Sequence, residues 1–286
     1  MERNSAQLIP ASAGRSPYIH FNKERDQRLL LAIRNATFIS HRQLWEYVEA
    51  NRIETSRRSY NWRIERLIRA GLADRLPQQL PFPGPVYAIT HEGLACLEAC
   101  GVGLVSLTSE SRSLANMNQM RHYLELVAIR AALRQSGLLR GWTSDFEIRS
   151  INQSIDSPLA KDYDGIADLE WEKGKYRIAI EYEHSLKSSD RYRAIASAIS
   201  SEHQVEMILY LTSSVDLLYR LKLEFDGQDF PVALVPSYTF RSNPLSVRLY
   251  LTHAFGAQRA VLPAVLRMLA TEQSARKANL SLAGSA

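Results

Sequence analysis

The feature that most constrains the fold is the stretch Lys161–Lys187, in which apolar and acidic residues alternate along two short segments. Alternation with a period of two is typical of β-strands whose two faces meet different environments. We predict a hairpin with strands Gly165–Trp171 and Tyr176–Glu183, joined by a turn over residues 172–175. Gly174 is expected to take the positive φ that a tight hairpin turn requires.

The register of this hairpin decides which side chains meet. If residues 173 and 174 form the loop, Asp164 lies opposite Glu183, and Ile166 lies opposite Glu181. One face is then apolar and carries Gly165, Ala167, Leu169, Trp171, Tyr176, Ile178, Ile180 and Tyr182. The other face is acidic and carries Asp164, Asp168, Glu170, Glu181 and Glu183.

Like charges that face each other across a ladder destabilise it, so the acidic face needs a counter-charge. A hard cation, Mg²⁺ or Mn²⁺, is the expected one, because it takes a few carboxylates together with water and phosphate oxygens. The alternative is an ordinary solvated strand face that pairs with Lys161, Arg177 and Lys187.

The composition is that of a globular protein with room for two domains. The chain has 286 residues, of which 45% are apolar and 23% charged. Its net charge of +5 permits a polyanionic partner. We expect a cytoplasmic protein without a membrane partner, because the sequence contains neither a spanning apolar run nor a signal-peptide core.

The pattern along the chain predicts two domains with polar ends. Residues 1–18 and 271–286 are expected to be disordered tails, and residues 102–113 a linker. Residues 19–101 form the first domain and residues 114–270 the second. In the first domain we predict helices at Lys23–Asn35 and His41–Ala50, a third from Thr55 or Ser56 to Ala70, strands at Leu72–Leu76 and Val86–Thr90, and a closing helix at Glu92–Cys100.

The first domain resembles winged helix-turn-helix proteins. The likeness lies in SRRSYNWRIERLIRAGLADRL followed by VYAITHEGLACL. The resemblance implies that the third helix enters the major groove of double-stranded DNA. Its candidate DNA-binding residues are Arg57, Arg58, Asn61, Trp62, Arg63 and Arg66. The alternative is a helix with merely solvated arginines, or a winged helix that contacts protein.

The second domain resembles the PD-(D/E)XK, or restriction-endonuclease-like, nucleases. Its predicted order matches their αβββαβ core: a helix over 114–136, a strand over 142–150, the hairpin, a helix over 190–201 and a strand over 205–212. The resemblance implies that Asp164 and Glu181 hold Mg²⁺ (or Mn²⁺), with Asp168 as a rival to Asp164. Glu183 stands where the family has its motif lysine, and Lys187 is the expected substitute. The implied catalytic set is Asp164, Glu181, Glu183 and Lys187.

The two halves together resemble the replication-relaxation family. This implies a DNA-binding protein of a bacterial mobile element or defence system, with other mobile-element proteins as partners and a metal-dependent DNA endonuclease domain. The alternative is a catalytically inactive regulator of transcription, plasmid replication or mobilisation, which uses the nuclease-like fold for dimerisation or docking. A third reading is a protein-interaction adaptor. The sequence does not decide whether the protein forms a homodimer. The segment Ala260–Leu269 is either a dimer interface or a core helix.

Overall fold

The computed structural model describes residues 7–10, 18–76, 83–103, 117–154, 159–256 and 258–271. The chain divides into two compact units, Met1–Val127 and Ala128–Ala286. Both units mix helices with strands, which confirms the predicted combination of helices and strands in both domains and makes the protein a mixed α+β protein. No helix within the described ranges is long and apolar enough to cross a membrane.

The first unit is mostly helical and carries a small sheet of three strands. The sheet has the order β3-β5-β4, and both of its ladders are antiparallel. The elements of the unit are β1 (Gln7–Pro10), β2 (Tyr18–Phe21), one π-type turn (Lys23–Gln27), α1 (Arg28–Ala36), β3 (Ile39–Ser40), α2 (His41–Ala50), α3 (Arg57–Arg69), β4 (Ala73–Arg75), β5 (Val86–Ile89) and α4 (His91–Ala99). A long helix, α5 (Met117–Gln135), contains the boundary between the units.

Local capping explains where α2 and α3 begin. The Ser40 hydroxyl oxygen accepts a hydrogen bond from the Gln43 backbone N–H, and the Gln43 side-chain oxygen accepts one from the Ser40 backbone N–H. The Ser56 side chain accepts a hydrogen bond from the backbone N–H of Ser59 and so starts α3. Gly71, with φ +74°, follows the last turn of α3.

The predicted tails lie mostly outside the described residues. Among residues 1–18, Gln7–Pro10 forms β1, which is antiparallel to β2. The C-terminal segment 272–286 and most of the predicted linker, from residue 104, are also outside the described residues.

The second unit is built on a seven-stranded mixed sheet with interspersed helices. The strand order is β12-β11-β10-β9-β8-β7-β6, and β8, β9 and β10 are mutually parallel. Its elements are β6 (Leu139–Ser144), α6 (Asp145–Ser154), β7 (Gly165–Trp171), β8 (Gly174–Glu183), α7 (Ser189–Ile199), β9 (Met207–Thr212), α8 (Val215–Phe225), β10 (Val232–Pro236), α9 (Ser237–Ser242), β11 (Arg248–Leu251), a 3₁₀ turn (His253–Phe255), β12 (Arg259–Val261) and α10 (residues 262–271).

One predicted strand is partly wrong. We expected a strand over Trp142–Ser150, but β6 ends at Ser144 and α6 begins at Asp145. The Ser144 hydroxyl and backbone N–H both donate to Glu147 Oε2, at 2.8 and 2.9 Å. The Glu147 backbone N–H donates back to the Ser144 hydroxyl at 3.4 Å, and this reciprocal cap starts a helix after a short strand.

The predicted hairpin forms, but its register differs from the prediction by two residues. Trp171 pairs with Gly174 and Gly165 pairs with Ile180, so the two loop residues are Glu172 and Lys173. Glu172, not Gly174, takes the positive φ, at +54°. A shift of two keeps every side chain on its predicted face, because side chains alternate with a period of two.

Candidate functional site

Three acidic residues lie close together where β7 begins and β8 ends, in the interior of the large sheet. Asp164 directly precedes β7, and Glu181 and Glu183 lie at the carboxyl end of β8. Because Gly165 pairs with Ile180, the next position along the ladder sets Asp164 beside Glu181. The Tyr182 backbone N–H donates to Asp164 Oδ2 at 2.8 Å and fixes that carboxylate against β8. The expected pairing of Asp164 with Glu183 is therefore wrong.

Each glutamate of this acidic site has a lysine partner. Lys161 Nζ donates to Glu181 Oε1, and Lys187 Nζ donates to Glu183 Oε2 at 2.5 Å. Both glutamates are almost fully buried, with exposed fractions of 5% and 6%. The sequence predicted Lys187 as the lysine of the site, and in the structure it contacts Glu183. The lysine that contacts Glu181 is Lys161.

Burial dominates the electrostatics of Glu181. Burial and the neighbouring Asp164 carboxylate raise the pKa of Glu181, Lys161 and Lys187 lower it, and the net result is a pKa raised to about 7. The contact with Lys161 favours the ionised carboxylate, in opposition to the burial.

Two tyrosines that the sequence did not single out line the site. The Tyr210 hydroxyl is buried and has no hydrogen-bond partner within the described part of the chain. Burial and the nearby Glu181 and Glu183 carboxylates raise its pKa well above the ordinary value. Tyr192 accepts a hydrogen bond from the Lys187 backbone N–H at 3.1 Å, and burial raises its pKa to about 12.

The segment that carries Lys161 and Asp164 is held by Glu202. One oxygen of this buried carboxylate accepts hydrogen bonds from the Ala160 backbone N–H at 3.0 Å and from the Tyr163 hydroxyl at 2.9 Å. The other oxygen accepts two backbone N–H groups of its own turn. The segment entering β7 is thereby clamped, although Glu202 lies about forty residues away in sequence.

The rest of the predicted acidic face lies further along the strands. Asp168 pairs with Arg177 in the ladder, with a carboxylate–guanidinium distance of 4.0 Å. Glu170 accepts from Arg140 Nε at 2.7 Å. The alternative that the sequence left open paired the acidic face with Lys161, Arg177 and Lys187, and all three of these ion pairs are present. Asp168 lies roughly 13 Å along the strand from Asp164, so it is not grouped with Glu181.

The donor chemistry of the acidic site fits a hard divalent cation better than zinc. Within the described ranges, no group of three or more His, Cys, Asp and Glu side chains is arranged to hold a metal ion. Mg²⁺ typically uses one or two carboxylates and keeps water and phosphate ligands for the rest. Asp164 and Glu181 provide such a pair.

The outer face of α3 carries four of the predicted DNA-binding residues. Arg57, Arg58, Asn61 and Trp62 are exposed, and the Trp62 side chain is 62% exposed. The Arg57 guanidinium lies 6.0 Å from the ring centroid of Trp45, an aromatic residue of α2.

Arg63 and Arg66 have a different environment from these four residues. Arg63 is 8% exposed and donates to Asp26 and Glu54. Arg66 donates to Asp26 and to the His20 carbonyl oxygen. Arg63 is therefore withdrawn from the exposed face, whereas the partly exposed Arg66 guanidinium lies 5.2 Å from the ring centroid of Trp62.

A cavity of the second unit lies away from the acidic site. It has a volume of about 570 Å³ and is bounded by the turns that precede β9 and β10, with Glu202, Glu206 and Asp229 in its lining. These turns are at the amino ends of the strands, whereas Glu181 is near the carboxyl end of β8. Glu202 is common to the cavity wall and to the clamp on the acidic site.

Comparisons of the chain with models of protein families, with curated proteins and with solved structures found no match.

Proposed function

We propose that the protein binds duplex DNA through the exposed face of α3 and acts on DNA phosphodiesters as a metal-dependent endonuclease. In this proposal the first unit is a winged helix-turn-helix domain and the second a PD-(D/E)XK-like domain, as in replication-relaxation proteins of bacterial mobile elements or defence systems. The observation that carries the proposal is the meeting of Asp164, Glu181 and Glu183 with two lysines where β7 begins and β8 ends. Open α/β sheets commonly bind ligands at the carboxyl ends of their parallel strands.

For DNA binding, Arg57 and Arg58 would contact phosphates, while Asn61 and Trp62 face the groove. Arg58→Ala is expected to weaken duplex binding several-fold and to reduce the slope of log affinity against log salt by about 1, because one phosphate contact is lost. Arg69→Ala is the matched control, since Arg69 is exposed on the same helix but lies near Glu65. Equal effects of the two substitutions on affinity and slope would contradict a specific role for the α3 face.

For catalysis, Asp164 and Glu181 would hold Mg²⁺ (or Mn²⁺). When bound, the metal supplies Lewis-acid stabilisation of a phosphodiester oxygen and a more acidic water. Glu183 Oε2 would then accept the proton of the attacking water. The ammonium groups of Lys161 and Lys187 would neutralise the charge that develops on the phosphate oxygens.

The test is cleavage of supercoiled plasmid by the purified protein in Mg²⁺ or Mn²⁺. Glu181→Gln should abolish nicking. Glu170→Gln should leave it intact, because Glu170 belongs to the same hairpin but pairs with Arg140 at the surface. If wild type and Glu181→Gln give the same background, this site does not catalyse cleavage.

A catalytically inactive regulator is the second candidate. The observation in its favour is that Glu181 and Glu183 each form an ion pair with a lysine of this chain, Lys161 and Lys187 respectively. Thermal unfolding with and without Mg²⁺ separates the two, because a ligand that binds only the folded state raises its stability. Stabilisation that disappears in Asp164→Asn supports the metal site. Unchanged melting together with salt-sensitive duplex binding supports the regulator, and the absence of such binding supports an adaptor.

A further inference from the structure

The helix α8 presents an apolar stripe to solvent. Its inner face, with Leu217, Leu218, Leu221 and Phe225, is buried against the sheet. Its outer face carries Val215, Tyr219 and Leu223, with exposed fractions of 39%, 47% and 78%. Residues four apart form one stripe on a helix. Seven large apolar residues are exposed within the described ranges, and three of them belong to this stripe. Such clustering distinguishes an interaction surface from scattered exposure.

The central residue of the α8 stripe is already held in place. The Tyr219 hydroxyl lies 3.1 Å from the Tyr250 hydroxyl, and the two rings meet edge to face at 5.5 Å. The Arg259 guanidinium in turn lies 4.1 Å from the centroid of the Tyr250 ring. A tyrosine fixed in this way loses little conformational entropy on binding, and buried tyrosines are common hot spots of interfaces.

The charges beside the stripe indicate what covers it. Asp216 and Arg220 are both exposed and lie one turn apart on the same flank of α8. In the part of the chain that the structure describes, neither has an ion-pair partner within 4.0 Å. On the other flank, Lys222 and Asp226 pair with each other at 2.7 Å.

We propose that the α8 stripe is a homodimer interface in which α8 packs antiparallel against α8 of a second copy. A two-fold axis at Tyr219 sets Val215 of one copy against Leu223 of the other, so the apolar stripe covers itself. The same axis brings Asp216 of each copy within reach of Arg220 of the other, so two equivalent ion pairs can form. A parallel pair would instead bring Arg220 of one copy beside Lys222 of the other on the same side of the seam, and such like charges are unfavourable.

The segment Ala260–Leu269, which the sequence left open as a dimer seam, does not compete for this role. In α10, the apolar residues Leu262, Val265, Leu266 and Leu269 are buried within the second unit, with exposed fractions of at most 2%. An interface of one helix pair is smaller than the standard size of about 1,600 Å², so we expect a reversible dimer with a micromolar dissociation constant.

Sedimentation velocity of the full-length protein, from about 1 to 100 μM, tests the proposal. The wild type should shift from monomer to dimer, and Leu223→Glu should raise the dissociation constant at least tenfold. Arg193→Asp, a charge reversal on exposed α7, is the control and should dimerise as the wild type does.

The two charged residues give a stricter test of the orientation. Asp216→Arg alone and Arg220→Asp alone should each dimerise at least tenfold more weakly, because like charges then face each other across the axis. An equimolar mixture of the two variants should associate again, since every facing pair is once more of opposite sign. Circular dichroism checks that each variant is folded. A wild type that stays monomeric, or a mixture that associates no better than either variant alone, would overturn the proposal.

Discussion

Arg63 belongs to a buried network of charges beneath α3, and we expect its replacement to destabilise the first unit. Arg63 Nη1 donates to Asp26 Oδ1 at 2.6 Å, and Arg63 Nε donates to Glu54. Asp26 also accepts from Arg66 and from the Asn22 backbone N–H. The side-chain exposures of Arg63, Asp26 and Glu54 are 9%, 0% and 2%, so these charges are almost entirely removed from solvent.

Arg63→Met would remove the cation that the two carboxylates share. Asp26 would keep Arg66, but among the described residues Glu54 would keep only the half-exposed Arg25, whose guanidinium is 3.6 Å away. Loss of one partner of a buried ion pair costs about 3–5 kcal/mol. Because Asp26 retains a partner, we expect the lower end, about 3 kcal/mol, in the free energy of unfolding of the first unit.

Urea unfolding of the full chain, with amide hydrogen exchange across α3, measures this cost. Arg58→Met is the control and should change stability by no more than about 0.5 kcal/mol, because Arg58 is exposed. Adding Glu54→Leu to Arg63→Met should restore part of the loss, because it removes the uncompensated charge. If Arg63→Met and Arg58→Met are equally stable and both weaken duplex binding, the structural role of Arg63 is wrong.

Three further substitutions follow from the geometry. The pKa of Glu181 is raised from 4.5 to about 7, so the folded protein keeps a proton that the unfolded chain releases. The free energy of unfolding should therefore fall as the pH rises from 4.5 to 7. In urea titrations, Glu181→Gln should make this fall smaller. Gly93→Ala should destabilise the first unit, because a Cβ there would lie 2.0 Å from the Leu72 carbonyl oxygen; Gly103→Ala, with open space around it, should not alter the melting temperature. Glu202→Ala should increase hydrogen exchange over residues 159–164, because the clamp on that segment is lost. Unchanged exchange would refute the clamp.

The helices of the first unit were predictable because their signals are local. Ser56 caps α3 and Gly71 follows it, and both signals act within one turn of the helix end. The environment of each arginine was not predictable in the same way. Arg63 is buried because Asp26, 37 residues earlier, meets it in the folded unit. Arg58, five residues before Arg63, has the same side chain but remains exposed.

The acidic site shows the same division between local and tertiary causes. The alternation of side chains correctly assigned the faces of the hairpin, but the turn rule that favours glycine at positive φ gave the wrong loop. Glu172 takes that conformation, and its carboxylate accepts from Arg267 Nη2 of α10 at 2.7 Å, a contact 95 residues distant in sequence. Gly174 instead makes room for Tyr176, whose hydroxyl would lie 2.3 Å from a Cβ at that position. The resulting two-residue shift sets Asp164 beside Glu181, and this pairing of acids is what a hard cation would require.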